Sequence, residues 1–391
     1  MKPNYFQRFL NWLTGPVPTS VVIAFVIGAI FIMIAGADPI SGYQSMFRGS
    51  FGSGLGLANT VQRAIPLVGM ALAIAVAFRA GVINLGAEGQ MILGGLVGVL
   101  VVLYVPGPPA LIMLLACVAG AAVGALWGLL PALLQSWPGV PLLITSLLLN
   151  YPARYFSSWM VRFPLKDPES SMVATDSFSP DVQIPLFAPP SSPLGQSLLN
   201  NLGKDNVLTI MGRTVNWSFV VVALLVIAVL FMNSRTKLGF EAGIHGFNSQ
   251  FARYSGVHSG RMTAQTMIIS GGTAGLIGVM FTIGAPNTRL IDGQILETNY
   301  AWTGLLVALL ALYRPLGVLI AGIFFAGIIA GSGAMGRDLS MSPQIASVIQ
   351  GIVIILIAFR VQIPVRKRKT RSELVEARME HDQAEEEVGR V

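Results

Sequence analysis

The strongest constraint on this chain is a series of apolar runs, each close to the length that crosses a lipid bilayer. A spanning helix needs about 20 mainly apolar residues, because the hydrocarbon core is about 30 Å thick. Ten stretches answer to that requirement: 17–36, 58–79, 86–105, 109–136, 141–160, 216–232, 263–283, 298–313, 315–335 and 344–361. Composition agrees, with 53% apolar and 11% charged residues, against roughly 25% charged in soluble proteins. The chain therefore reads as an all-α integral membrane protein of about ten transmembrane helices. A disordered chain is excluded and a soluble enzyme is disfavoured. Ala35-Gly36-Ala37 has the look of a signal-peptide cleavage site. The apolar run before it exceeds the usual h-region, so a retained anchor is expected.

Lys and Arg set the expected orientation, since they concentrate in cytoplasmic loops. Lys2, Arg8, Arg79, Arg235, Lys237, Arg253, Arg261, Arg314 and Arg366 to Lys369 fall on one side of a ten-span layout. Arg48, Arg63, Arg162, Lys166, Lys204, Arg213, Arg289 and Arg337 are spread over longer stretches on the other. Both termini are thus expected in the cytoplasm. The transmembrane body covers 1–365, with a charged cytoplasmic tail at 366–391. Within the body, 162–215 is an extracytoplasmic segment too long for a simple connection. Residues 233–262 form a cytoplasmic loop. The net charge of +7 lies beside the ends of apolar runs, which is a membrane pattern and not a nucleic-acid one.

Polar groups inside spans are costly and usually face a cavity or a partner helix. The densest cluster is Gly81 to Gln90, where Asn84, Glu88 and Gln90 sit among three glycines. It reads either as a broken helix lining a polar cavity or as an inside turn with Glu88 at a helix start. Glu88-Gly89-Gln90-Met91-Ile92 is echoed by Asp292-Gly293-Gln294-Ile295-Leu296, each placed just before an apolar run. Five spans separate the two copies, which suggests an inverted five-plus-five repeat. Asn150, Asn299 and Trp302 are further candidates for the solute path, with an interfacial belt as the bland reading of Trp302. Gly120, Gly124 and Gly128 recur at four-residue spacing, as ordinary close helix packing requires.

Several chemistries have no material. The single Cys117 permits no intrachain disulfide, and three histidines, one of them His381 in the tail, leave no metal site. Neither a phosphate-binding loop nor a nucleophile elbow nor a zinc-protease motif occurs. No catalytic residue, cofactor or metal is expected.

The stretch Ala80-Gly81-Val82-Ile83-Asn84-Leu85-Gly86-Ala87-Glu88-Gly89-Gln90-Met91 resembles the signature of bacterial ABC importer permeases serving ribose, branched-chain amino acids and nucleosides. Ile144 to Tyr151, Pro164 to Pro168 and Asn299 to Gly304 resemble its nucleoside and simple-sugar branch. Leu238 to Asn248, with Ala252 to Val257, resembles the segment that couples such permeases to their ATPase. Ser249 and Phe251 stand where the family often has Pro and Ala. The resemblance implies a permease subunit in the bacterial cell (inner) membrane, without an ATPase site of its own. Its implied partners are a cytoplasmic ABC ATPase, a second permease (related or identical), an extracytoplasmic solute-binding protein, membrane lipid and a nucleoside or sugar. Glu241, His245, Asn248, Phe251, Arg253 and Tyr254 are the expected ATPase-coupling residues. The competing class is an ion-gradient-driven secondary transporter with Glu88 and Asp292 as coupling carboxylates.

Overall fold

The computed structural model describes residues 16–34, 36–135 and 140–340, with Val348 and Gly351. Its chain begins with α1 (Pro16–Ile34) and α2 (Pro39–Ser50), sharply bent against each other. Asp38 makes the corner by accepting the Ile40 and Ser41 amides at 3.3 and 2.9 Å, with Pro39 opening α2. Then come α3 (Gly54–Arg79), α4 (Ala87–Tyr104) and α5 (Pro109–Leu134). Helices α6 (Leu142–Leu148) and α7 (Asn150–Arg162) follow, then the short α8 (Pro193–Leu202) and α9 (Val207–Thr214). After α10 (Ser218–Arg235) come two small helices, α11 (Lys237–Phe247) and α12 (Ser249–Tyr254). Helices α13 (Ser259–Ile283), α14 (Tyr300–Leu310) and α15 (Pro315–Asp338) complete the described bundle.

Against the ten spans expected, six helices among the described residues are long and apolar enough to cross a membrane, namely α3, α4, α5, α10, α13 and α15. The bent α1–α2 pair would make seven. The 141–160 run is interrupted at Leu149, whose φ of −66° and ψ of −12° nevertheless let α7 continue α6. The 298–313 run contains only the 11 residues of α14, about 16 Å at 1.5 Å per residue, or half a bilayer. Asn299, at φ 52°, sets its start, and Leu312 and Tyr313, at φ 51° and 59°, turn the chain at its end. The 344–361 run and the 366–391 tail lie outside the described residues, apart from Val348 and Gly351.

The packing is reciprocal. Helix α13 lies against α4 and α5, while α3 lies against α14 and α15, and the two central helices touch each other. Each central helix is thus covered by helices from the opposite half of the chain. Small residues permit this closeness. A Cβ on Gly124 of α5 would lie 2.8 Å from Gly275 Cα of α13, and one on Gly128 would lie 2.6 Å from the Met267 carbonyl. The glycine steps are therefore helix contacts, as their spacing predicts. Outward faces stay apolar: Leu114, Val118 and Leu126 of α5 and Leu224 and Ile227 of α10 are exposed. That surface suits lipid and would be a liability in water.

The two ends of the bundle differ. At one, Ala80, Val82 and Leu142 pack with Ala242, Ala252, Val257 and Met262, seating α11 and α12 under the end of α3. At the other, the 162–215 segment is pinned to residues 284–292. Thr175 N donates to Leu290 O at 3.0 Å, Phe178 N to Thr288 O at 2.8 Å, and Gln183 Nε2 to Ala285 O at 3.1 Å. An Arg289–Asp167 ion pair at 3.2 Å adds to them. Beside α8 and α9, the extended pairing of this region among the described residues is confined to isolated β-bridges.

Candidate functional site

Helix α3 ends where Gly81 takes φ +72°, a left-handed conformation that glycine adopts without a Cβ penalty. Residues 82–86 run without helix until α4 starts at Ala87. Such a gap leaves backbone groups that need partners in an apolar surrounding. Asn84 supplies one of them, at Gly86, and ties the gap to its neighbours through side chains. Its Nδ2 donates to Gln90 Oε1 at 2.9 Å and to Ser270 Oγ of α13 at 2.8 Å, and its Oδ1 accepts the Gly86 amide at 3.0 Å. Asn150 clamps the same gap from α7, accepting Gly89 N and donating to Leu85 O, both at 2.9 Å. Asn84, Gln90 and Asn150 are all buried. They brace a helix break; none of them lines the cavity beside α7.

Glu88 lies in the first turn of α4, where the helix dipole favours a carboxylate. It is buried, and a buried charge must be paired. Arg154 of α7 provides the pairing: its Nη2 lies 2.6 Å from both carboxylate oxygens and its Nε 3.0 Å from Oε1. Trp302, in the first turn of the half-length α14, donates its indole N–H to Glu88 Oε2 at 3.0 Å. The starts of two broken segments from the two halves of the chain therefore meet at one carboxylate. The guanidinium also lies over the Tyr151 ring, 5.7 Å from its centre.

One and two turns further along α7 come Ser158 and Arg162. Both bind Asp292 Oδ2, Ser158 Oγ at 3.2 Å and Arg162 Nη2 at 2.6 Å. Arg154, Ser158 and Arg162 stand four residues apart and so share a helix face. Opposite them is a cavity of about 370 Å³, bounded by α7, Ile92 and the 290–297 segment. The sequence missed this arginine face, although an Arg in the middle of the 141–160 run was a signal in plain view.

Two expectations need correction. Asp292-Gly293-Gln294 echoes Glu88 in sequence but not in local structure. Glu88 is in a helix, whereas Asp292 lies in a turn ahead of the 3-10 segment Leu296–Thr298, with Gly293 at φ +78°. Asn299 is exposed and absent from the cavity lining; its left-handed backbone starts α14. Trp302 is partly exposed and reaches inward, so a purely interfacial place does not describe it.

At the other end, Thr236 caps α11 through the Gly239 amide at 3.1 Å. Asn248 caps α12 through the Phe251 amide at 3.0 Å. The small residues Ala242 and Ala252 face the bundle, while Phe240, Phe247, Phe251 and Tyr254 face out. Phe247 and Tyr254 are 94% and 93% exposed, which is extreme for aromatic side chains beside a membrane bundle. Arg253 is exposed beside them. Phe247 was absent from the sequence-derived set, hidden behind the Gly246 at its side. His245 departs from that set in the other direction: its Nδ1–H is directed to Ala80 O, 2.7 Å away. It braces α11 and is only half-buried. Glu241 pairs with Lys237 at 3.5 Å.

An apolar helical bundle with a bonded break, a buried carboxylate at the meeting of two half-elements and a separate aromatic platform defines a polytopic membrane protein of transport type. Residues 56–358 match the branched-chain amino acid transport system / permease component family, and the chain belongs to it. It is 29% identical to a nucleoside ABC transporter permease protein of Lactococcus lactis, over 90% of this chain and 93% of that one. It is 28% identical to a glucose ABC transporter permease protein of Haloferax volcanii, over 88% and 87%. A guanosine ABC transporter permease protein of Bacillus subtilis is 26% identical over 87% and 91%.

Proposed function

We infer that this chain is the permease subunit of an ATP-binding-cassette importer for a nucleoside or simple sugar, working as a multi-pass protein of the cell membrane. Family membership and the nucleoside and glucose permeases among its relatives support that reading. The observation that carries the site is the Glu88–Arg154–Trp302 junction, built from three elements inside an otherwise apolar bundle. The solute passes along the arginine face of α7, by way of the cavity beside Asp292, and Asn84, Gln90 and Asn150 hold the broken backbone in place. Solute hydroxyls suit the Ser158 and Asp292 groups there, and the Tyr151 and Tyr155 rings offer flat faces. A separate cytoplasmic ATPase drives alternating access by docking on Phe247, Phe251, Arg253 and Tyr254. The second permease, related or identical, closes the path from the other side. An extracytoplasmic binding protein delivers solute to the 162–215 segment. With both termini inside, α11 and α12 face the cytoplasm.

The test is reconstitution. Proteoliposomes holding this chain with its ATPase, a second permease and the binding protein should take up uridine or glucose only with ATP. The lone chain should accumulate neither under a proton or sodium gradient. Gradient-driven uptake by the lone chain would establish the secondary-transporter reading instead.

A further inference from the structure

The cavity beside α7 has an unusual charge arrangement for a passage in which two arginines stand eight residues apart. Each guanidinium already has its own carboxylate. Arg154 holds both oxygens of Glu88, and Arg162 reaches Asp292 through Nε at 2.7 Å and Nη2 at 2.6 Å. A phosphate-bearing solute is normally captured by uncommitted guanidinium groups in bidentate geometry. Here no guanidinium on this face is uncommitted. Glu297, also on the lining, adds a further negative charge. A phosphate brought into the cavity would meet Asp292 and Glu297 with both local cations neutralised.

A neutral hydroxyl-rich solute meets the opposite situation. The bonds from Ser158 and Arg162 all land on Asp292 Oδ2, which leaves Oδ1 as an acceptor for a solute hydroxyl. The Ser157 and Ser158 hydroxyls can donate or accept. At about 370 Å³ the cavity falls within the range that holds small ligands.

Resting on the reading of this chain as a nucleoside or sugar permease, we propose that the paired ladder Glu88–Arg154 and Asp292–Arg162 is a charge filter in the permease itself. It admits uncharged polyhydroxyl solutes and turns away their phosphorylated forms. Asp292 is the specificity-determining residue, acting by neutralising Arg162. Rejection by an introduced unfavourable charge is a recognised route to specificity. The filter works after the binding protein has released its solute, as a second and independent check.

The experiment uses the complete importer in proteoliposomes, with one binding protein throughout, tritiated uridine and ATP. In the wild type, uridine 5′-monophosphate should leave uptake unchanged at concentrations where unlabelled uridine abolishes it. In Asp292→Asn, its half-inhibitory concentration should fall about tenfold, equivalent to about 1.4 kcal/mol. Because the binding protein is the same, that difference belongs to the permease. Arg162→Gln should instead become sensitive to the cationic 5′-amino-5′-deoxyuridine, and the double variant should lose both new sensitivities. If Asp292→Asn does not insert, the Arg162→Gln arm decides alone. Equal competitor profiles in the wild type and both single variants would overturn the filter. Because Asp292 also accepts a solute hydroxyl, uridine uptake should fall in part in Asp292→Asn, whose amide oxygen still accepts, and each competitor profile is scaled to that variant's own uninhibited uptake. Complete loss of uptake in all three variants would also overturn the filter. Absence of ATP-dependent uptake of any nucleoside or sugar by the wild-type complex would instead reject the permease reading beneath it. For a sugar importer, glucose and glucose 6-phosphate form the matched pair.

Discussion

Removing Arg154 should harm this protein more than removing the charge of its partner, Glu88. The Arg154 side chain is 29% exposed, whereas that of Glu88 is 6% exposed. Arg154→Met leaves a buried carboxylate with only the Trp302 N–H to support it. Breaking a buried pair from one side costs about 3–5 kcal/mol. Solvent reaching the arginine end of this pair screens it, so about 2–3 kcal/mol is the figure to expect here. Glu88→Gln is milder. The amide oxygen still accepts from Trp302, and the freed guanidinium can turn toward solvent, for a loss of about 1–2 kcal/mol. In the double variant Arg154→Met/Glu88→Gln neither charge remains, so its loss should be smaller than the sum of the singles. The assay is fluorescence-detected thermal aggregation of the detergent-purified permease–ATPase complex, run on all four proteins side by side. The apparent midpoints should rank wild type, Glu88→Gln, the double variant and Arg154→Met from highest to lowest. Strict additivity, or a lower midpoint for Glu88→Gln than for Arg154→Met, would refute the argument that burial of Glu88 governs the junction.

Three further outcomes follow from the geometry. Asn150→Ala removes partners from the Gly89 amide and the Leu85 carbonyl. At about 1–3 kcal/mol for each buried group left unpaired, it should lower the apparent midpoint more than Asn299→Ala in the same assay. Phe247→Ala with Tyr254→Ala should release the ATPase during affinity purification of the complex, while the permease inserts and keeps its midpoint, because neither ring is buried. Gly246→Ala would set a Cβ against the Arg79 carbonyl; it should displace α11 and lower ATP-driven uptake even where the ATPase still co-purifies.

Much of this architecture was legible because lipid imposes a single simple rule on the residues facing it. The 86–105, 109–136 and 263–283 runs correspond to α4, α5 and α13 to within a few residues at each end. The 81–86 stretch stood out too, since Asn84, Glu88 and Gln90 could not be left unbonded in an apolar setting, but the sequence left a broken helix and a plain turn equally open. What escaped was the partner of each group. Nothing local to Glu88 names Arg154, 66 residues later, or Trp302, 214 residues later. Asn299 misled for the opposite reason: amide side chains suit ligands, but Asn also tolerates the left-handed turn that starts α14. His245 and Phe247 sit two residues apart on a helix end with opposite assignments, one directed to Ala80 and the other to solvent. Their spacing could not decide which faced the bundle. Beyond the short α8 and α9, the 162–215 segment shows no periodic pattern, because it is held by distant loop contacts to 284–292 and not by a repeating face.

The exchange of partners between the two halves bears on how the chain can be made. Helix α3 leaves the ribosome early, yet its cover, α14 and α15, begins at residue 300. Residues 80–299 must be synthesised before α3 acquires its final neighbours. During that interval the helix keeps Val68 and Met70, which meet Gly322 of α15 and Gly304 of α14 in the finished protein, without those neighbours. Helix α13 has no such wait, because α4 and α5 are already in place when it emerges. A nascent chain cut after α13 would therefore carry one central helix fully dressed and the other covered by α13 but not by α14 and α15. Quality-control proteases that survey the membrane for unclaimed helices should distinguish that fragment from one ending after α15.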